Sequence, residues 1–309
     1  MENLSNTNKK SHPFDWKTAA ALVAANFFFG SNIIAVKLIS PRLIDPLGLA
    51  YARMLISSLL MILVPYVLKS NEKIEPKDRL LLVFAAILGI TGNQIFSIFG
   101  IAFTNPIHAS LLNMATPIIV SLMAAIFIGE RFGGNKIIGL LLGIGGAAIL
   151  IMARDTMQTR PASVLGDVLV VTASFCYSSY LILIRSISSK YTPLTILRFV
   201  FIVGTIISIP ICGKSFLAAQ WSSFSFGDWY ALFHIIILGT FIAYLLMNMG
   251  VSKWGPSRTG SFVYFQPFFG TLSAMVVMNE KLTIVKVMAG VLIILGVWVT
   301  SLQAKKNVQ

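Results

Sequence analysis

The feature that most restricts this chain is a series of ten apolar stretches, each about as long as a bilayer core is thick. A hydrocarbon layer about 30 Å thick takes about 20 residues of helix at 1.5 Å rise per residue. Such stretches run near residues 16–38, 47–68, 80–102, 106–129, 136–153, 164–184, 193–211, 229–251, 256–278 and 285–302 of the 309. The connections between them are short, so no soluble domain fits in between. Only 11% of residues are charged, against roughly 25% in soluble domains. A chain so poor in charge cannot coat a water-facing surface, and its solvent is lipid. Lys9, Lys10 and Lys17 precede the first stretch, but that stretch outruns a signal-peptide core, which argues against a cleaved leader.

The formal net charge of +13 does not point to nucleic acid, because the basic residues sit in short clusters between apolar runs. That is how cytoplasmic loops of membrane proteins look. With the N-terminus inside, fifteen Lys and Arg fall on the cytoplasmic side and seven on the other, with Arg53 and Arg198 left within spans. The expectation is therefore a multi-pass protein of the cell's inner (plasma) membrane with both termini cytoplasmic. Cys176 and Cys212 lie inside apolar runs, which excludes a disulfide framework or a CxxC site.

The chain also repeats itself. Displaced by 150 positions, Ile87-Leu88-Gly89 falls on Ile237-Leu238-Gly239, Gly100 on Gly250, Pro106 on Pro256, Pro117 on Pro267, Glu130 on Glu280, Lys136 on Lys286 and Gly146 on Gly296. No gap is needed, and chance similarity of apolar helices would not align Pro, Glu and Lys. At a slightly different displacement, residues 27–37 (FFFGSNIIAVK) resemble 175–185 (FCYSSYLILIR). Five spans per copy is an odd number, so the second copy enters the membrane upside down. The expected fold is all-α and polytopic: ten transmembrane helices in two inverted five-helix repeats, 16–153 and 164–302, between tails at 1–15 and 303–309. Inverted repeats form facing bundles around a site near the midplane, the arrangement alternating access requires.

These features resemble the EamA-type members of the drug/metabolite transporter superfamily. The FFFGS start of the first span carries the resemblance, with Pro106 and Pro117 and the Gly129-Glu130 ending followed by Gly139 and Gly146. In the second half the carriers are Pro256, Pro267, Asn279-Glu280 and Gly296. The resemblance covers nearly the whole chain and implies a ten-helix carrier of small metabolites, with export favoured and the first, third, fourth, sixth, eighth and ninth helices lining the path. The second, fifth, seventh and tenth are then mostly peripheral, and a homodimer contact could use them. Two departures are Phe29, where many relatives have Trp, and Asn279, where they often have Gly.

Polar residues deep in spans mark the candidate substrate site: Asn26, Asn93, Gln94, Asn113, Tyr177, Tyr244, Asn248, Tyr264 and Gln266, with Tyr180 beside them. Side chains of this kind face the bundle interior, either bonding between helices or lining a cavity. Ser97 and Gly100 share a helix face with Asn93, and Ser110 and Pro117 share one with Asn113. Pro117 and Pro267 stand about 16 Å along the helix from the prolines opening their spans, near mid-membrane. Each frees the carbonyl four residues back, at Asn113 and Val263, giving either a packing kink or a hinge. Arg53 and Arg198 occupy corresponding early positions in the second and seventh spans, where the side chain either snorkels to the interface or turns inward toward a substrate anion. Lys37 and Arg185 end helices; Glu130 and Glu280 read as polar stops; His108 and His234 read as interfacial anchors.

All eleven Asp and Glu fall in tails, loops or span ends, so proton coupling through a central carboxylate is not expected. No HExxH motif or metal-ligand spacing occurs, and no nucleophile pattern points to an intramembrane enzyme. No cofactor or metal is expected. The partners are a small-molecule substrate and the bilayer. Asn105-Pro106 is half of a water-channel motif, but it opens a full-length helix, so a channel is the second reading. Few fixed charges among many amides and aromatics suit a neutral or zwitterionic solute, such as an amino acid.

Overall fold

The computed structural model describes residues 15–67, 72–103, 112–113, 116–129, 133–152, 164–278 and 284–302. The chain is all-helical over these residues, a polytopic membrane protein. Helices α1 (Trp16–Ile39) and α2 (Pro46–Val67) open it. The third rod joins α3 (Pro76–Ala86) to α4 (Asn93–Phe103) through a π-helical stretch, Ile87–Gly92. Then come α5 (Thr116–Ile128), α6 (Gly134–Met152), α7 (Val164–Ile187) and α8 (Pro193–Leu217). A second interrupted rod joins α9 (Phe226–Phe233) to α10 (Ala243–Trp254) through a π-helical His234–Ile242. Next, α11 (Pro256–Ser261) passes through one 3₁₀ turn, Phe262–Tyr264, into α12 (Phe265–Met278), and α13 (Ile284–Leu302) closes the chain. Among the described residues, six helices or rods are long and apolar enough to cross a bilayer: those starting at Trp16, Pro46, Pro76, Val164, Pro193 and Phe226.

Helix ends are set by local chemistry. The Asp15 carboxylate accepts from the Lys17 amide and the Thr18 hydroxyl, capping α1. Thr192 caps α8 through the Thr195 amide, and Ser225 with Asp228 forms a capping box at α9. The bundle has two polar ends. At one, Lys253 pairs with Asp15, Lys190 with Asp78, and Arg185 binds the last carbonyls of α10 at Val251 and Ser252. At the other, Arg42 pairs with Asp228. Between them the outer faces are apolar, as Ile126, Phe127 and Leu141 show with 65% or more of their surface exposed.

Lipid gives helices no hydrophobic reason to associate, so close backbone approach between small residues does that work. A Cβ at Gly30 of α1 would come within 2.9 Å of the Gly270 nitrogen of α12. Likewise a Cβ at Gly296 of α13 would lie 2.7 Å from the Gly143 nitrogen of α6. α2 packs along α8, and α6 along α13.

Three backbone features interrupt regular α-helical winding among the described residues. The two π-helical stretches contain Gly89 and Gly239, residues related by the 150-position displacement. A Cβ at Gly89 would strike the Tyr180 ring, and one at Gly239 would meet Asn32 Oδ1 at 2.8 Å. Asn32 and Tyr180 are themselves matched in the 27–37 and 175–185 segments. The third feature is the 3₁₀ turn just before Pro267. Proline supplies no amide for the Val263 carbonyl and crowds it, so the preceding turn tightens. Pro106, His108, Ser110, Glu130, Arg131, Asn279, Glu280 and Lys281 lie outside the described residues.

Candidate functional site

At the centre of the bundle is a cavity of about 100 Å³. Six of the polar residues singled out in the sequence line it: Asn93, Gln94, Asn113, Tyr177, Tyr244 and Gln266. They come from α4, α7, α10 and α12 and, for Asn113, from the stretch ahead of α5, with Phe29 and Asn32 of α1 and Arg53 of α2 also on the wall.

Tyr244 is the hub. Its hydroxyl accepts from Gln94 Nε2 at 3.1 Å and donates to Asn93 Oδ1 at 2.9 Å. Asn93 Nδ2 donates to the Ala173 carbonyl of α7 at 3.1 Å. The Tyr244 ring meets Phe29 and Tyr177 edge-on, each with centroids 6.0 Å away, and Phe201 at 5.5 Å. Asn113 Oδ1 accepts from the Ser174 hydroxyl at 3.4 Å. These bonds tie α4, α7, α10 and Asn113 to one another around a wall rich in amides and rings. Such a wall can hydrogen-bond a small solute and stack on its apolar part. Among the described residues no Asp or Glu lines the cavity, and no cluster of three or more His, Cys, Asp or Glu occurs.

The other three expected site residues stand behind the wall. Asn26 accepts from Gln266 Nε2 at 3.1 Å and donates to the Leu22 carbonyl, so it braces a cavity residue from one layer out. Asn248 accepts from the Tyr180 hydroxyl and donates to the Tyr244 carbonyl, both at 2.9 Å. Tyr264 is fully buried with its ring over Gly143 of α6, and its hydroxyl has no partner among the described residues. Of the two prolines, Pro117 is buried near the start of α5 and Pro267 follows the 3₁₀ turn, whose Val263 reaches the cavity.

Arg53 corrects the snorkelling alternative. It is 5% exposed, lines the cavity, and its Nε donates to Thr240 Oγ1 at 2.9 Å. The Thr240 hydroxyl in turn donates to the Ile235 carbonyl at 2.8 Å, a bond spanning five residues of the π-helical stretch. The wide turn thus presents a fixed acceptor that draws the guanidinium inward. Consequently α2 is not wholly peripheral. Arg198 behaves differently and reaches the Glu72 carbonyl at the bundle's end. His234 is likewise tied to an intramolecular partner, 2.9 Å from the Ser31 hydroxyl. Asn32 escapes sequence reasoning; its match to Tyr180 across the two segments was the available signal.

Helices long and apolar enough to cross a bilayer, arranged around a small polar cavity, define a multi-pass membrane protein. The sequence pattern of the EamA-like transporter family matches residues 16–152 and again residues 164–302, and the chain belongs to that family. It is similar to an uncharacterized transporter of Archaeoglobus fulgidus, 26% identical over 92% of this chain and 97% of the relative. The uncharacterized transporter YetK of Bacillus subtilis is 23% identical over 93% and 87% of the two chains. Protein WALLS ARE THIN 1 of Arabidopsis thaliana is 23% identical over 80% and 72%. A crystal structure 19% identical to this chain aligns with a TM-score of 0.77 over 95% of this chain and 99% of that one, a likeness of fold.

Proposed function

We propose that the protein is a secondary transporter that moves a small organic metabolite by alternating access between two inverted five-helix repeats. The solute is a neutral or zwitterionic compound such as an amino acid, with export the favoured direction. The termini are taken to be cytoplasmic and the membrane the inner (plasma) membrane. One observation carries the reading: Gln94 and Tyr244 hydrogen-bond each other at the cavity wall, and they are 150 positions apart. Two residues matched by the repeat can touch only beside the axis that relates the halves. A cavity on that axis faces both halves equally, which is what a site alternately opened to either side requires. The paired contacts Tyr180–Gly89 and Asn32–Gly239 support the same axis.

The test is saturable counterflow in proteoliposomes against a panel of amino acids and related solutes. Flux is expected to saturate and to persist without a pH gradient, since no carboxylate is expected in the path. Non-saturating flux would favour a channel. Strict dependence on a pH gradient, lost on neutralising one carboxylate, would overturn the uncoupled mechanism. Reporter fusions within 154–162 and 186–192 should report opposite sides of the membrane; the same side would end the inverted-repeat reading.

A further inference from the structure

Among the described residues Arg53 is the one cation on the cavity wall, and no carboxylate joins it there. Its guanidinium carries five N–H donors, of which Nε–H goes to Thr240. No ion pair to Arg53 occurs among the described residues. A buried charge with no counter-charge is costly to keep in a membrane interior. Thr240 orients the group without neutralising it.

Two further groups on the same wall are buried and lack hydrogen-bond partners among the described residues: the Tyr177 hydroxyl and Asn32 Oδ1. Asn32 Oδ1 lies beside Gly239, 2.8 Å from where a Cβ would stand, and Gly239 is next to the residue that orients Arg53. A cation, a hydroxyl and a carbonyl oxygen therefore share a wall whose other members are neutral: amides, the rings of Phe29 and Tyr244, small hydroxyls and aliphatic side chains. Each of the three is a group that a ligand would complete.

From this geometry we infer that Arg53 binds the carboxylate of the transported solute, which makes the substrate a small carboxylic acid. A guanidinium fork matches a planar carboxylate in two parallel hydrogen bonds. One cation balances one negative charge, so the site suits a monoanionic group rather than a phosphate dianion. The Tyr177 hydroxyl is a further donor to the same anion. In an amino acid, Asn32 Oδ1 accepts from the ammonium while the side chain lies against the rings. A solute with net positive charge is disfavoured, because Arg53 repels it and no described wall residue offers an anion. The inference rests on the carrier reading above and names its substrate class.

The test uses the purified full-length protein in detergent and follows thermal unfolding with matched probes. Leucine and phenylalanine are each supplied as free acid, amide and alcohol, together with propionate. A ligand that binds the folded state raises the unfolding midpoint by mass action. At least one free acid is expected to raise it, while the amide and alcohol of the same skeleton do not. Arg53→Gln should bind that acid about thirtyfold more weakly, the loss of a charge-assisted pair, and Arg53→Lys should keep part of the affinity. The wild-type comparison of acid with amide holds even if the Arg53 variants fail to fold. Equal stabilisation by amide and acid, undiminished acid binding by Arg53→Gln, or no stabilisation by any acid would each overturn the assignment. Counterflow separates the two readings. Saturable flux of a neutral solute by a protein that ignores every acid removes the carboxylate role and keeps the carrier. Acid binding with no counterflow removes the carrier and keeps the role of Arg53.

Discussion

The side-chain amide of Gln94 donates to the hydroxyl of Tyr244 at 3.1 Å across 150 residues of sequence, the displacement that also carries Gly89 onto Gly239. The same hydroxyl donates to Asn93, so one oxygen links the third rod of the bundle to the rod containing α10. Removing that oxygen leaves the buried Gln94 amide and the half-buried Asn93 amide each short of a partner.

Tyr244→Phe should therefore cost about 1–2 kcal/mol of stability and lower counterflow more than it lowers the amount of folded protein. Thermal unfolding and proteoliposome flux, measured on one preparation, check both. Unchanged flux would mean that the hydroxyl serves packing alone.

Gly239→Ala places a methyl 2.8 Å from Asn32 Oδ1, and Gly89→Ala drives one into the Tyr180 ring. Overfilling a packed contact costs about 1–3 kcal/mol. Both variants should unfold at lower temperature, with the larger loss at Gly89, where a rigid ring has less room to yield than an amide. Equal, negligible shifts in the unfolding midpoint would contradict the close contacts.

Asn113 and Tyr264 should part company. Asn113 lines the cavity, and Asn113→Ala is expected to impair flux at normal membrane insertion. Tyr264 packs its ring on Gly143 behind the wall. Tyr264→Phe should therefore preserve both flux and stability, while Tyr264→Ala should cost about 3 kcal/mol by opening a void. Insertion assays and counterflow on all three variants separate a wall residue from a packing residue.

The Asp15 carboxyl at the start of α1 is held at about 2, below its ordinary 3.8, first by the Thr18 hydroxyl and then by Lys253. A carboxylate whose folded-state pKa is lowered adds stability that is complete above the ordinary value and is lost as pH falls through the folded one. Acid titration of the unfolding midpoint should thus show a loss between about pH 4 and pH 2, smaller in Asp15→Asn. An identical acid limb in both proteins would rule out this contribution.

Much of this molecule can be read from the chain because apolar runs make polar exceptions conspicuous. Asn93, Gln94, Asn113, Tyr177, Tyr244 and Gln266 stand out within spans, and all six reach the cavity. What stays hidden depends on neighbours distant in sequence. Arg53 is close enough to a helix end for its side chain to reach water cheaply, and only Thr240, 187 residues away, turns it inward. Asn26 and Asn248 look like wall residues by depth alone. Which side of the helix faces the cavity is decided by the packing of Gly30 on Gly270 and of Tyr180 on Gly89. The π-helical stretches have no signature of composition either, since an extra residue in a turn is tolerated only when tertiary contacts hold it.

That extra residue has a geometric consequence. An α-helix advances about 100° per residue, so a rod that absorbed its bulge into regular winding would swivel everything beyond it by about that angle. In the rod containing Thr240, such a swivel would carry the Tyr244 ring off the wall and withdraw the acceptor that Arg53 holds. Each of the two interrupted rods contains its own latent crank of this kind, wound in the middle of the span.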